Sequence, residues 1–126
     1  MAVELERTGK YILDAAFRVH TALGPGLLES AYEACLAYEL HAMGVPVQRQ
    51  VEQAVVYWGQ VIDVGYRLDL LVDEVVVEIK AVERLLPVHE AQLLSYLKMG
   101  NHRLGYLLNF NVLRLKDGIK RLVNKL

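Results

Sequence analysis

The sequence predicts an α/β (α+β) fold in which N-terminal helices precede an antiparallel three-strand meander, a crossover helix, a parallel fourth strand and a C-terminal hairpin. Apolar residues recur at helical spacing in the first third of the chain and then alternate with polar residues, as in strands. A short run that is apolar on both faces follows a later helical segment, which is typical of an internal parallel strand. At 126 residues, we expect one domain covering residues 1–126.

Two helices are predicted at the N-terminus. Apolar spacing predicts the first from Val3 to Leu23. Gly24-Pro25-Gly26 interrupts the pattern, and the proline suits the first turn of a following helix because its missing N–H has no intrahelical partner there. We therefore predict the second helix from about Gly26 to Met43, with Gly44 as its end.

The first strand of the meander is predicted from Val45 to Trp58, where the period of the pattern changes to two. Gly59-Gln60 fits a two-residue hairpin loop with glycine at its first central position. This loop places Glu52 opposite Arg67 on the second strand.

The second and third strands are predicted within residues 65–83, folded back about Asp73-Glu74. Successive side chains of a strand point to opposite sides, so this pair has an apolar and a polar face. The apolar face comprises Leu68, Leu70, Val72, Val75, Val77 and Ile79. The polar face comprises Arg67, Asp69, Glu78 and Lys80.

The polar face places Asp69 opposite Glu78 and Arg67 opposite Lys80. Two carboxylates directly opposite each other repel, so a divalent cation is expected between them. A solvated face with diagonal ion pairs would use the same four residues, and the residues alone leave this alternative open.

The C-terminal part continues with a helix from Pro87 to about Gly100, on which Gln92 and Tyr96 lie one turn apart. Residues 103–110 are apolar on both faces and are predicted to form the parallel fourth strand. Residues 112–123 are predicted to form a small hairpin about Asp117-Gly118.

Composition and charge narrow the functional classes. The net charge is −1, but residues 1–79 hold five Lys and Arg against twelve Asp and Glu, whereas residues 80–126 hold nine against three. A basic half beside an acidic pocket suits an enzyme that acts on nucleic acid, although a salt-bridged surface has the same composition. With the lone Cys35 and no visible signal peptide or membrane span, we expect a cytoplasmic protein.

Asp69, Glu78 and Lys80 together suggest metal-assisted hydrolysis. Mg²⁺ is commonly held by one or two carboxylates together with substrate phosphate oxygens, and Asp69 and Glu78 can supply the carboxylates. A lysine beside such an ion can orient or deprotonate a water and offset the charge that develops at phosphorus. The pattern therefore indicates a phosphodiester hydrolase.

Several segments resemble one nuclease family. Residues 26–32, GLLESAY, match the motif that names the GxxExxY family of the PD-(D/E)XK nuclease superfamily. Asp69, then Glu78-Ile79-Lys80 nine residues later, then a helix with Gln92 and Tyr96, follow in the order of that superfamily. The resemblance runs from about residue 11 to residue 123, and it implies the fold order given above.

The resemblance also implies a metal site. The residues that match Asp69 and Glu78 bind the metal in that superfamily, together with the backbone carbonyl of Ile79. A helical glutamate such as Glu29 often completes the ligand shell. Leu68 stands where the motif has proline, a frequent substitution that removes no ligand.

The remaining implied roles are catalytic. The resemblance makes Lys80 the catalytic lysine, with Glu29 beside it, and places Gln92 and Tyr96 against the substrate or that lysine. It implies a Mg²⁺- or Mn²⁺-dependent nuclease on DNA in preference to RNA, and a homodimer is left open. The alternative is a non-catalytic module that binds nucleic acid or a protein on the same fold.

Overall fold

The computed structural model describes residues 2–126 and confirms the predicted α+β architecture. Its elements in chain order are α1 (Ala2–Leu23), α2 (Glu29–Ala42), β1 (Val47–Tyr57), β2 (Gln60–Val72), β3 (Val75–Lys80), α3 (Pro87–Gly100), β4 (Leu104–Asn109), a 3₁₀ helix (Leu115–Gly118) and β5 (Ile119–Val123). The strands form one sheet in the order β1-β2-β3-β4-β5. Only the β3–β4 pairing is parallel, and α3 supplies the crossover that a parallel pairing requires.

The core has two parts because helices cover both faces of the sheet. The larger part packs α1 and α2 against alternate residues of the central strands, including Val75 and Val77. The smaller part packs α3 against the other face, where Val76 and Leu107 point. All six residues of β4 are buried, as expected of a strand covered on both sides. Within residues 2–126, no helix combines the length and the apolar character that crossing a membrane requires.

The second helix begins later than predicted, at Glu29 instead of about Gly26. Gly26 has a φ of 105°, a conformation that side chains disfavour and that no helix contains. Leu28 is still extended, with φ −74° and ψ 153°, so regular hydrogen bonding starts only after it. The predicted end is confirmed, because Gly44 follows the helix with a φ of 77°.

The first hairpin turns one residue earlier than predicted, at Trp58-Gly59, because Tyr57 pairs with Gln60. Both turn residues have positive φ, 50° and 77°, as in the tight turns that match strand twist. The predicted pair Glu52–Arg67 nevertheless forms. A bulge restores it, since one residue of β1 but three residues of β2 separate the pairs on either side.

Leu68 was predicted on the same face as Leu70, and this prediction is wrong. Leu70 packs in the larger core, whereas Leu68 packs in the smaller one beneath α3. The strand pair is irregular between them, because Gln50 of β1 has a φ of 53° and lies outside the paired residues. At this irregular position the side chains turn to the opposite face, so that Leu68 and its partner Val51 both pack in the smaller core.

The prediction of a hairpin within residues 112–123 is also wrong. Residues 115–118 form a 3₁₀ helix instead, with Leu115 buried in the larger core. The chain then enters β5, which pairs antiparallel with β4. The C-terminal hairpin of the fold is therefore made by β4 and β5, because the open edge of β4 offers a longer ladder than two short strands could offer each other.

Gly118 marks the point where this connection packs most tightly. A methyl group at that position would overlap the backbone carbonyl oxygen of Asn109. We expect Gly118→Ala to lower the free energy of unfolding by about 1–3 kcal/mol, since overpacking forces the backbone to move. Urea denaturation measures the change, with Asp117→Ala at the exposed neighbouring position as the control. Equal stability of both variants would contradict this packing.

Candidate active site

Two carboxylates occupy the point at which the pairing of β2 with β3 ends. The ladder extends to the pair Leu70–Val77, and the next residues are Asp69 and Glu78. The backbone N–H of Asp69 donates to Oε2 of Glu78 at 2.9 Å, and the N–H of Ile79 donates to Oδ2 of Asp69 at 2.8 Å. Each strand therefore binds the carboxylate of the other, and the two side chains are held together.

This arrangement corrects the predicted register beyond Leu70. The pairs Asp69–Glu78 and Arg67–Lys80 do not form in the part of the chain that the structure describes. The backbone N–H groups of Asp69 and Ile79 donate to carboxylates instead, so the strands separate at this point. Arg67 instead forms an ion pair with Glu52 on β1, with 3.7 Å between its Nη2 and Oε1 of the glutamate.

The electrostatic state of the pair follows from its burial. Burial, together with the neighbouring Asp69, raises the pKa of Glu78 to about 8, while a backbone hydrogen bond and Lys80 oppose the shift. Burial likewise raises the pKa of Asp69. The nearby positive charge and N–H groups thus do not compensate two buried negative charges. When both carboxyl groups are ionised, the positive charge near them is too small to balance their negative charge.

Lys80 is the last residue of β3 and is half-buried beside this pair. It forms no ion pair with any residue among 2–126. Its positive charge nevertheless opposes the rise in the pKa of both Asp69 and Glu78. Its backbone carbonyl accepts a hydrogen bond from the N–H of Phe110 at 3.0 Å. The backbone that carries the lysine is therefore tied to the neighbouring strand.

Asn109 holds the chain directly after Lys80. This side chain is 1% exposed and lies opposite Lys80 in the parallel ladder. Its Oδ1 accepts from the N–H of Val82 at 3.1 Å, and its Nδ2 donates to the carbonyl of Val82 at 2.9 Å. Sequence reasoning missed Asn109, because a single asparagine in an apolar strand has no pattern that distinguishes a structural role.

The side of β3 on which the backbone carbonyl of Ile79 lies follows from the hydrogen bonds of Ile79 and Lys80. In a strand, the N–H and C=O of one residue point to the same neighbour, and those of the next residue point to the other. Lys80 is bonded to Phe110 of the β4 side, while the N–H of Ile79 is bonded to Asp69 of β2. The carbonyl of Ile79 therefore lies on the side of β2, as the predicted ligand role requires.

Glu29 lies in the first turn of α2, where the helix dipole favours an acidic residue. Its Oε2 accepts a hydrogen bond from the N–H of Ala81 at 3.2 Å, so it contacts the strand end that carries Lys80. Its side chain is not gathered into a ligand cluster with Asp69 and Glu78. No group of three or more His, Cys, Asp and Glu side chains in residues 2–126 has the spacing to hold a metal ion.

A two-carboxylate site still fits the expected metal. Mg²⁺ retains several waters and is commonly held by one or two carboxylates plus substrate phosphates, not by a full protein cage. Asp69 and Glu78 supply hard oxygen ligands, and burial raises the pKa of both, so a nearby positive charge would favour their ionised forms. The residues present therefore suit a hard divalent cation.

Tyr96 is brought to the site, whereas Gln92 is exposed. Tyr96 is buried on α3, and its pKa is raised by burial and by the negative charges of Glu78 and Asp69. Its ring lies 5.9 Å from that of Tyr66, centroid to centroid. Gln92 lies one turn earlier on the same helix and is exposed, and only for Tyr96 is an electrostatic interaction with the carboxylates found.

Glu33 is the functional candidate that sequence reasoning missed. It is 7% exposed on α2, and it interacts with Nε of Arg49 at 3.1 Å and with Nε2 of Gln50 at 2.7 Å. Its negative charge contributes to the raised pKa of both Asp69 and Glu78. A signal was present, because Glu33 lies four residues after Glu29 and thus on the same helix face.

A comparison with known families is consistent with this geometry. The sequence profile of the PD-(D/E)XK nuclease superfamily matches residues 6–122, a span that includes all the site residues described above. Searches of curated proteins and of solved structures found no match.

The raised pKa of Glu78 predicts a pH dependence of stability in the metal-free protein. Below the ordinary value of 4.5, Glu78 is protonated in both states, but between 4.5 and about 8 only the folded state retains the proton. The free energy of unfolding should therefore fall as pH rises through this range, by at most about 1.4 kcal/mol per pH unit.

Urea denaturation in EDTA across this pH range measures the slope. Glu78→Gln, which cannot ionise, should flatten it. The same slope in wild type and variant would show that Glu78 is not the group responsible.

Proposed function

The chain belongs to the PD-(D/E)XK nuclease superfamily, and from this premise we propose that it is a Mg²⁺- or Mn²⁺-dependent nuclease that hydrolyses phosphodiester bonds of DNA. The observation that carries the proposal is the pair of the half-buried Asp69 and the buried Glu78, bound reciprocally across two strands beside Lys80. Uncompensated negative charge next to a lysine suits a cation and a phosphate more than it suits a structural core.

In this proposal Asp69, Glu78 and the carbonyl of Ile79 hold the divalent ion. A bound ion supplies positive charge to the phosphate and lowers the pKa of an attacking water. The reciprocal hydrogen bonds keep both carboxylates in place before the ion arrives, which reduces the reorganisation that binding requires.

Lys80 orients the attacking water and offsets the negative charge that builds up on the phosphate oxygens. Two features support this role: its side chain has no ion-pair partner within residues 2–126, and its backbone is fixed by Phe110. Catalysis by a positioned group depends on such rigidity, because small misplacements strongly reduce the rate.

Glu29 has a different role in the proposal from the one that the resemblance implies. Its hydrogen bond to the N–H of Ala81 makes it a positioning residue for the end of β3. Tyr96 and, further out, Gln92 are proposed to contact the substrate on the α3 side.

We also propose that the chain belongs to the GxxExxY family within the superfamily, because each motif residue has a distinct task. Gly26 adopts the φ of 105° that the turn before α2 needs, and Glu29 reaches β3. The hydroxyl of Tyr32 donates to the carbonyl of Gly24 at 2.6 Å and accepts from the N–H of Leu27 at 3.1 Å. The motif thus closes the loop that delivers Glu29.

DNA in preference to RNA, and a cytoplasmic location, remain parts of the proposal. The excess of Lys and Arg after residue 79 supports a polyanionic substrate. Arg121, one of the basic residues after residue 79, forms an ion pair with Glu6. We therefore assign the contacts with substrate phosphates to the other basic residues of this part of the chain. The lone Cys35 supports a reducing compartment.

Metal binding is tested by thermal unfolding. Mg²⁺ or Mn²⁺ should raise the melting temperature of wild type, by an amount that grows with metal concentration, because the ion binds only the native state. Asp69→Asn should abolish this increment while the protein stays folded in EDTA. Glu52→Gln, an exposed acid of the same sheet, is the matched control and should keep the increment. An unchanged response in Asp69→Asn would place the ion elsewhere.

Catalysis is tested by cleavage of single-stranded and duplex DNA and RNA with Mn²⁺ or with EDTA. Lys80→Ala should cut the rate by roughly 10²–10⁴, as loss of a positioned group does, and should leave the metal-induced rise in melting temperature intact. Lys10→Ala, an exposed lysine of α1, should cleave like wild type. If wild type cleaves no substrate while Lys80→Ala only weakens binding, the chain is a binding module and the enzyme proposal fails.

A further inference from the structure

The sheet opens beyond the two carboxylates. The ladder between β2 and β3 ends after three residue pairs. Past that ladder, residues 66–68 of β2 pair with β1, and residues 78–80 of β3 pair with β4. The two strands therefore form opposite sides of a gap that begins at Asp69 and Glu78, and a substrate phosphate bound to those carboxylates would lie at its inner end.

Tyr66 and Lys80 lie on opposite sides of this gap and on the same face of the sheet. Side chains two residues apart in a regular strand share a face. Tyr66 thus shares the face of Leu68, which packs beneath α3. Lys80 shares the face of Glu78 and of Val76, which also packs beneath α3. The lysine and the tyrosine therefore flank the gap on the side covered by α3.

Tyr96 of α3 connects Tyr66 with the carboxylates. The centroids of the two rings are 5.9 Å apart, and their planes meet at 56°. Tyr96 is 6% exposed, yet no group within residues 2–126 forms a hydrogen bond with its hydroxyl. A tyrosine hydroxyl at a buried position usually has a partner. Because the charge of Glu78 adds to the effect of burial in raising the pKa of Tyr96, this hydroxyl lies on the side of the carboxylates.

Tyr66 is the accessible member of this aromatic pair. It is 46% exposed, so much of its ring is open to solvent while another part rests near Tyr96. Three residues of a strand span about 10 Å, which separates Tyr66 from Asp69. Successive phosphates of a stacked strand are roughly 3.4 Å apart. The ring therefore lies within about three nucleotides of a phosphate bound at the carboxylates.

An open aromatic ring at this distance from a phosphate site suits a nucleobase. Every base has a π-face that stacks on an aromatic side chain, but the bases inside a duplex already stack on their neighbours. We propose that Tyr66, supported by Tyr96, is a base-stacking subsite and that the substrate strand is unpaired where it crosses the site. This inference rests on the proposed function, because the bound phosphate sets the position of the stacked base.

The test is binding of a labelled oligothymidylate of about 15 nucleotides, measured by fluorescence anisotropy in EDTA at one fixed salt concentration. Tyr66→Leu keeps an apolar side chain but lacks the ring, and it should raise the dissociation constant by at least about fivefold, as loss of one stacked base does. Tyr66→Phe keeps the ring and should bind within about twofold of wild type. Tyr11→Leu is the matched control, because Tyr11 is 40% exposed on α1, and it should bind like wild type.

An oligomer of the same length built from abasic nucleotides separates stacking from a structural role. It retains the phosphates and lacks the bases, so wild type should bind it at least about fivefold less tightly than oligothymidylate. Tyr66→Leu should lose most of this difference. Blunt duplex should bind equally to both proteins, because its bases are paired. Circular dichroism and urea denaturation establish that each variant is folded, and the comparison of the two oligomers on wild type needs no variant.

Four results would overturn the subsite: no binding of oligothymidylate by wild type, equal affinity of wild type and Tyr66→Leu, an equal loss of affinity for the abasic oligomer, or a loss in Tyr66→Phe as large as in Tyr66→Leu. Cleavage with Mn²⁺ judges the nuclease separately. Base-dependent binding without cleavage would support the subsite and overturn the nuclease. Cleavage whose KM is unchanged in Tyr66→Leu would support the nuclease and overturn the subsite.

Discussion

The site depends on one interaction, the reciprocal capture of Asp69 and Glu78 by backbone N–H groups of the opposite strands. In place of the next ladder pair, each strand accepts the side chain of its neighbour. The hydrogen bonds satisfy buried carboxylate oxygens and so limit the cost of burying them. They do not neutralise the charge, and burial together with the neighbouring Asp69 still raises the pKa of Glu78 to about 8. The proposed cation site rests on this arrangement of two carboxylates held by hydrogen bonds without a full balance of positive charge.

The surrounding fold keeps the end of β3 rigid. Phe110, Glu29 and Asn109 bond three successive residues there, at Lys80, Ala81 and Val82 respectively. These contacts come from β4, its end and α2, so elements distant in sequence converge on the lysine. The parallel β3–β4 pairing is what brings Asn109 opposite Lys80. The parallel neighbour of β3 and the helix α2 thus hold the backbone that carries Lys80.

The tip of the β1–β2 hairpin, residues 55–62, shows the reverse relation between local structure and packing. Its strand pairing is regular up to the turn, yet its side chains remain exposed. Local hydrogen bonding can form such a ribbon, but only tertiary or quaternary packing can cover it. The same sheet therefore contains its most buried residues in β3 and β4 and its most exposed apolar residues in β1 and β2.

The sequence by itself determined the elements and their order. Helical spacing and strand alternation depend on local periodicity, so α1, α3 and the order of the strands were predictable, as was the pair Leu70–Val77. The residue types Asp69, Glu78 and Lys80, with the motif around Glu29, were sufficient to indicate the superfamily, because its motifs consist of residue types at short spacings along the chain.

Tertiary structure decided the rest, because it depends on contacts between distant residues. The bulge that compensates the shifted turn at Trp58-Gly59 and the reversal of Leu68 have no local signal. The sequence places Glu33 on the same helix face as Glu29, but only folding placed it near the carboxylates, with Arg49 and Gln50 beside it. Charge and burial act through space, and a sequence pattern records only distance along the chain.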